Sequence, residues 1–100
     1  MMLQIEVYQN DLNRVHYLMI NRYLEIIEKS NMENKDYWIR YCNAALRLKN
    51  SDKLSRWVGF IQGVLYANKM ITIAEERDFS RQHYKPVYNK YEIDSDTVNV

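Results

Sequence analysis

Glycine, proline and cysteine are almost missing from this chain, at two, one and one in 100 residues. With so little turn-forming residue, and with apolar–polar alternation confined to a few residues, helices must carry the fold. A single cysteine cannot close an internal disulfide, which fits a reducing cytosol. The apolar runs are only a few residues long, so no segment is expected to span a bilayer. No stretch near the start pairs a basic segment with an apolar one, so no secretory signal is expected. There is no nucleophile-elbow sequence and no glycine-rich phosphate loop. His16, His83 and Cys42 form no close pair of the C-x-x-C or H-x-x-x-H kind. No metal, no cofactor and no enzymatic activity are therefore expected.

What is present is an ordinary globular composition, 47% hydrophobic and 27% charged, sized for one domain. The net charge of +1 hides a pattern. Residues 1–33 carry three basic and five acidic side chains, residues 34–69 seven and two, and residues 70–100 four and six. The basic middle between acidic ends is expected to be neutralised by the ends folding back on it. A pI of 7.8 speaks against strong non-specific binding to DNA.

The spacing predicts an all-α fold, a compact bundle of about four helices with a short extended N-terminal arm (1–9), a helical domain (10–85) and an extended C-terminal tail (86–100). Leu3, Ile5 and Val7 alternate with Gln4 and Glu6, which gives the arm a strand-like look. A first helix is capped by Asn10 or Asp11 and runs to Lys29, with Leu12, Val15, Met19, Tyr23 and Ile26 on one face. His16 and Arg22 intrude into that face. Ser30 and Glu33 read as a capping box for a second helix ending near Lys49. Its apolar set, from Tyr37 and Trp38 through Leu48, covers more than half of its circumference, so it should be packed on more than one side. Cys42 reads as a small core residue.

A third helix, from about Asp52 to Asn68 or Lys69, presents Leu54, Trp57, Val58, Ile61, Val64 and Leu65. Gly59 and Gly63 stand one turn apart on it, each costing about 1 kcal/mol relative to alanine. Such a pair marks a flat strip, for which close helix packing inside the fold is the simpler use and ligand approach the other. Thr72 and Glu75 form a second capping box. The fourth helix, about Ile73 to Tyr84, has no continuous apolar stripe and should stop before Pro86. Trp38 and Trp57 are expected at the centre of a three-helix core that is complete without its last third.

At residues 53–81 the sequence Lys53-Leu54-Ser55-Arg56-Trp57-Val58-Gly59-Phe60-Ile61-Gln62-Gly63-Val64-Leu65, followed by an Ile-Thr-Ile-Ala-Glu-Glu-Arg-Asp run, resembles small uncharacterised proteins of tailed bacteriophages and prophages. These share an R-W-x-G-F-[IV]-Q-G-x-L helix, a turn and a second helix. Where a glycine would be expected in the turn, this chain has Asn68-Lys69. The resemblance implies a setting, the bacterial host cytoplasm. It also implies a mode of action: a binding protein that inhibits or modulates a host enzyme or a defence complex.

Nine tyrosines, two tryptophans and the arginines are of the types that dominate protein–protein contacts. The candidate partner-binding residues are Arg40 and Arg47, then Glu75, Glu76, Arg77, Asp78 and Arg81 on the fourth helix, and Tyr84, Tyr88 and Tyr91 beyond it. A host or defence protein, or self-association into a homo-oligomer, would complete that surface. Arg56 and Gln62 are candidates for an internal network with the acidic start of the fourth helix, or for holding a phosphate. The alternative reading is a nucleic-acid or nucleotide binding module using the basic residues 34–69, with tyrosines as stacking surfaces.

Overall fold

The computed structural model describes residues 3–91, with side chains from residue 6 onward. Four helices follow in order: α1 (Leu3–Glu28), α2 (Lys35–Ala45), α3 (Ser51–Ala67) and α4 (Ile73–Lys90). The fold is all-α, with no strand among the described residues. None of these helices is long and apolar enough to cross a membrane.

α1 is the spine. Its 26 residues reach about 39 Å at 1.5 Å per residue, and each of the other helices packs on it. The core lies mainly between α1, α2 and α3. Ile71, just before α4, and Tyr84 and Tyr88 of α4 join it, so it is not complete without the last third of the chain, contrary to expectation. Met19, Ile20, Tyr23 and Ile27 of α1 meet Cys42 and Ala45 of α2 and Leu54, Ile61 and Leu65 of α3, all essentially inaccessible. Their spacing in α1 and α3 is the three-and-four repeat of an amphipathic helix. α3 and α4 both lean on α1 but share at most a marginal contact with each other.

The helix boundaries depart from the expected ones for physical reasons. α1 begins at Leu3, so residues 3–9, read above as an extended arm, are helical. Asn10 and Asp11 are therefore inside the helix, where Asp11 is spent on tertiary contacts instead of capping. Ser30 serves the end of α1, donating to the Ile27 carbonyl at 2.7 Å and accepting from the Met32 amide at 3.3 Å. The expected Ser30–Glu33 box is not formed. α2 starts after Asn34, in the left-handed region at φ 59°, which asparagine tolerates. α2 also ends four residues early. Its last turn tightens, with Arg47 and Leu48 amides bonding three residues back. This frees the Leu48 and Lys49 carbonyls to accept from Tyr17 Oη (2.5 Å) and Asn13 Nδ2 (2.9 Å) of α1.

Asn50 caps α3, accepting from the Lys53 amide at 2.9 Å, and Thr72 caps α4, accepting from the Glu75 amide at 3.1 Å. α3 closes with paired bonds from Lys69 N to the Tyr66 carbonyl and from Met70 N to the Leu65 carbonyl. This is the Schellman pattern, which wants glycine at the left-handed position. Lys69 occupies it at φ 60°, where the expected glycine is missing.

α4 does not stop at Pro86 but runs through it to Lys90. Proline there removes one backbone bond. Pro86 is exposed, and anchoring of Tyr84, Tyr88 and Tyr91 on both sides of it holds the helix together. Residues 86–91 of the expected tail are thus ordered in or beside α4, and residues 92–100 lie outside the described residues.

Candidate functional site

Two surfaces on opposite flanks of the core decide where a binding site can be. The first is the seam between α1 and α4. The buried face of α4 is Glu76, Ser80, Tyr84 and Tyr88, one residue per turn, only two of them aromatic and none aliphatic. Two members of this line, Glu76 and Tyr84, meet the polar residues Arg22 and His16 of α1. Glu76, 5% exposed, accepts from Arg22 Nη1 and from the Tyr23 hydroxyl, and Gln62 Nε2 of α3 donates to it at 3.4 Å. The Arg22 guanidinium also lies 4.4 Å from the Phe79 ring centroid, a cation–π contact. Burial, then the Glu76 hydrogen bond, raises the Tyr23 phenol above its ordinary range.

Further along, His16 Nδ1 and Tyr84 Oη are 2.5 Å apart. Burial lowers the His16 imidazole to about 4 and raises the Tyr84 phenol. At neutral pH the imidazole is therefore neutral, and it shares one hydrogen bond with the tyrosine hydroxyl, the tautomer setting which of the two donates. At the far end Asp11 accepts from Tyr91 Oη (2.7 Å), Lys90 Nζ (2.9 Å) and Arg14 Nη1 (2.8 Å). The Tyr91 and Lys90 hydrogen bonds hold its carboxyl below the ordinary carboxylate range. As α4 advances, its partners on α1 fall in number, so the two helices are antiparallel. No buried side-chain polar atom is left unpartnered among the described residues.

Four residues expected at a partner surface are therefore part of this seam. Glu76, Tyr84 and Tyr88 are buried, and Tyr91 is half-buried and bonded to Asp11. The reason is that α4 buries its stripe through hydrogen bonds, which an apolar-periodicity reading does not register. The legible signals were the two polar intrusions on α1, His16 and Arg22, and the four-residue spacing of Glu76, Ser80, Tyr84 and Tyr88. Gln62 does join the acidic start of α4, as the internal-network reading expects. Arg56 does not; Arg22 takes that place.

The second surface is the outer face of α2 and α3. Tyr37, Trp38 and Tyr41 of α2 and Trp57 and Phe60 of α3 form a contiguous aromatic cluster. Tyr41 stacks on Trp57 with centroids 4.4 Å apart, Trp38 and Phe60 are 5.8 Å apart, and Tyr37 meets Trp38 edge-on at 4.9 Å. These separations suit aromatic pairing, yet the cluster is open to solvent. Tyr37 and Phe60 are each 52% exposed, and Trp38, Tyr41 and Trp57 are half-buried. Trp38 and Trp57 are thus surface residues, not the centre of the core. The broad apolar arc of α2 is packed on two sides, by α1 and by α3, as its width suggests, and Tyr37 at its edge is left exposed.

From Trp57 to Ala67, α3 has no charged residue. Its exposed side carries Phe60, Gly59, Gly63 and Tyr66. A Cβ added at either glycine would meet nothing within 4 Å, so the strip is not used for packing inside the fold, contrary to the simpler expectation. Between this strip and the start of α4 lies a cleft of about 310 Å³, lined by Gly59, Gly63, Tyr66, Ile73, Glu76 and Arg77 among others. A second cleft of about 230 Å³ lies further along, against α1, with Ser51, Ser55 and Tyr88 in its wall.

Arg40, Arg47, Glu75, Arg77, Asp78 and Arg81 are exposed, as a partner surface requires, but they do not form one patch. Arg40 stands one turn after Tyr37, beside the aromatic cluster. Arg47 follows α2 in the turn. Arg77 and Arg81, one turn apart, lie on the cleft side of α4, and Glu75 and Asp78 fall on its other sides. The ion pairs among the described residues are Arg14–Asp11, Arg22–Glu76, Lys29–Glu25 and Lys90–Asp11. None involves residues 34–69, so the described acidic residues do not pair with the basic middle of the chain. No cluster of three metal-ligating side chains occurs among the described residues. The chain matches no family model, no curated protein and no solved structure.

Proposed function

We propose that this protein is a non-enzymatic binding protein whose contact surface is the aromatic face of α2 and α3, rimmed by Arg40, Lys53 and Arg56. The observation that carries this reading is the aromatic cluster in which Tyr37 and Phe60 are exposed while Trp38, Tyr41 and Trp57 are half-buried against the core. Large aromatics left at the surface, next to arginines without an acidic partner among the described residues, have the composition of interaction hot spots. The unneutralised cations favour a partner surface rich in carboxylates. The resemblance of residues 53–81 to phage and prophage proteins supports a bacterial host enzyme or defence complex as the target, inhibited or modulated by occupation.

The test is capture from bacterial lysate on immobilised protein, with Tyr37→Ser/Phe60→Ser as the control. A protein retained by the wild type and lost by the folded double variant supports the reading. Equal capture by both defeats it. One further observation favours a second reading, single-stranded nucleic acid: exposed rings interleaved with unpaired cations also suit base stacking and phosphate contact. Titration with oligothymidylate at two ionic strengths separates the two, because phosphate contacts give steep salt dependence.

A further inference from the structure

We infer that the open trough between α3 and α4 is a seat for an acidic amphipathic helix of the partner protein, an inference that rests on the binding reading above and names what occupies the far side of α3. Three observations meet here. First, α3 and α4 scarcely touch, and the space between them holds the larger cleft, about 310 Å³. Second, the cleft has an apolar residue on each side and a stretch of α3 wall without side chains. Tyr66 and Ile73 stand 50% and 53% exposed on either side, and Gly59 and Gly63 leave the α3 backbone uncovered. Third, the unpaired charge on its α4 side is cationic. Arg77 lines the cleft, Arg81 follows one turn later on α4, and Arg56 of α3 lies outside the cleft lining, at the edge of the aromatic face. None of the three has an acidic partner among the described residues. The one carboxylate in the cleft, Glu76, is already engaged by Arg22, Tyr23 and Gln62.

A helix laid in a trough buries its apolar stripe against the floor and directs its flanking side chains to the rims. Here the α4 rim is cationic, so the flank that faces it is glutamate or aspartate. A second copy of this chain does not fit. Presenting its own α3 strip would bring Arg56 and Lys53 of one copy against the cations of the other, and like charges at an interface oppose association.

The probe is a blocked helix-forming peptide with a leucine and alanine stripe flanked by glutamates, paired with a second peptide carrying lysine at every glutamate. Binding is read by fluorescence anisotropy of the labelled peptide. The glutamate peptide is expected to bind at least tenfold more tightly than the lysine peptide. Gly63→Leu fills the floor and should reduce that binding at least tenfold. Because the space above Gly63 is empty, its melting temperature should not fall, which separates a blocked seat from a damaged fold. Arg77→Glu/Arg81→Glu should reverse the preference between the two peptides.

No binding of the glutamate peptide, equal binding of the two peptides, or full binding by Gly63→Leu overturns the inference. So does a dimer in sedimentation that Gly63→Leu dissociates, or an oligothymidylate complex that Gly63→Leu abolishes; the occupant would then be a second copy or a nucleic acid. If lysate capture is lost in Tyr37→Ser/Phe60→Ser but unchanged in Gly63→Leu, the aromatic face stands and the trough falls. If neither variant changes capture, the binding reading itself has failed.

Discussion

The α1–α4 seam and the α2–α3 face divide their residues in opposite ways. The seam buries a glutamate, a serine, a histidine and two tyrosines, with hydrogen bonds to Arg22, Tyr23, Gln62 and His16. The face leaves Tyr37 and Phe60 half in water and its arginines without counterions among the described residues. Burial along the seam therefore follows pairing more than hydropathy. Hydrogen bonds to charged groups contribute about 1.5–3 kcal/mol each when satisfied, enough to hold a helix whose mean hydropathy would leave it in solvent. The exposed aromatics have no such internal use, and it is this contrast that marks the face as a contact surface.

The largest effects should come from the core and from the acidic end of the seam, and they should differ in extent. Leu54→Ala removes a fully buried side chain and is expected to lose roughly 3 kcal/mol, with hydrogen exchange rising over α1, α2 and α3 together. Glu76→Ala leaves Arg22 and Tyr23 without their acceptor and should also cost roughly 3 kcal/mol. Its exchange should rise first in the opening turns of α4, because the other anchors, at Tyr84, Tyr88, Lys90 and Tyr91, lie toward the far end of that helix. Uniform rise in both variants would show that seam and core are one cooperative unit, against the contrast drawn above.

Next in size is a pH effect confined to the seam. The folded His16 imidazole titrates at about 4, below its unfolded value near 6.5. Between those two values the unfolded chain binds the extra proton, so stability is complete above pH 6.5 and falls as the pH is lowered toward 4. The slope approaches about 1.4 kcal/mol per pH unit. Denaturant melts from pH 7 to pH 4.5 should show this loss, and His16→Gln should flatten it. A loss unchanged in His16→Gln would assign the acid sensitivity elsewhere.

Smaller still are two backbone effects. Lys69→Gly relieves the left-handed residue that closes α3 and should raise stability by about 1 kcal/mol. Gly59→Ala and Gly63→Ala should each add up to about 1 kcal/mol, since the space beside them is open. Destabilisation by either alanine in thermal melts would mean that the strip is closed in solution.

How much was legible follows from the same contrast. The apolar repeat of Val15, Met19 and Tyr23, or of Leu54, Val58, Ile61 and Leu65, is written locally, and those residues are buried. Thr72 and Asn50 cap as their chemistry suggests. Asp11 misled because its carboxylate answers Lys90 and Tyr91, 79 and 80 residues away, a demand no local signal announces. Pro86 misled because tyrosines on both sides of it secure the helix against α1. The candidate site was half visible. Arg40, Arg77 and Arg81 are exposed, but Tyr84 and Tyr88 are buried. The aromatic excess of α2 was read as core when it is surface, since periodicity states which residues share a face but not whether anything covers it.

The chain's two tryptophans both lie in the aromatic cluster, which makes the central claim directly measurable. With fluorotryptophan in both positions, fluorine NMR gives one resonance each for Trp38 and Trp57. Adding the protein captured from lysate should shift or broaden both resonances in the wild type and neither in Tyr37→Ser/Phe60→Ser. A captured partner that binds the wild type while leaving both resonances in place would contradict the assignment of the α2–α3 face as the contact surface.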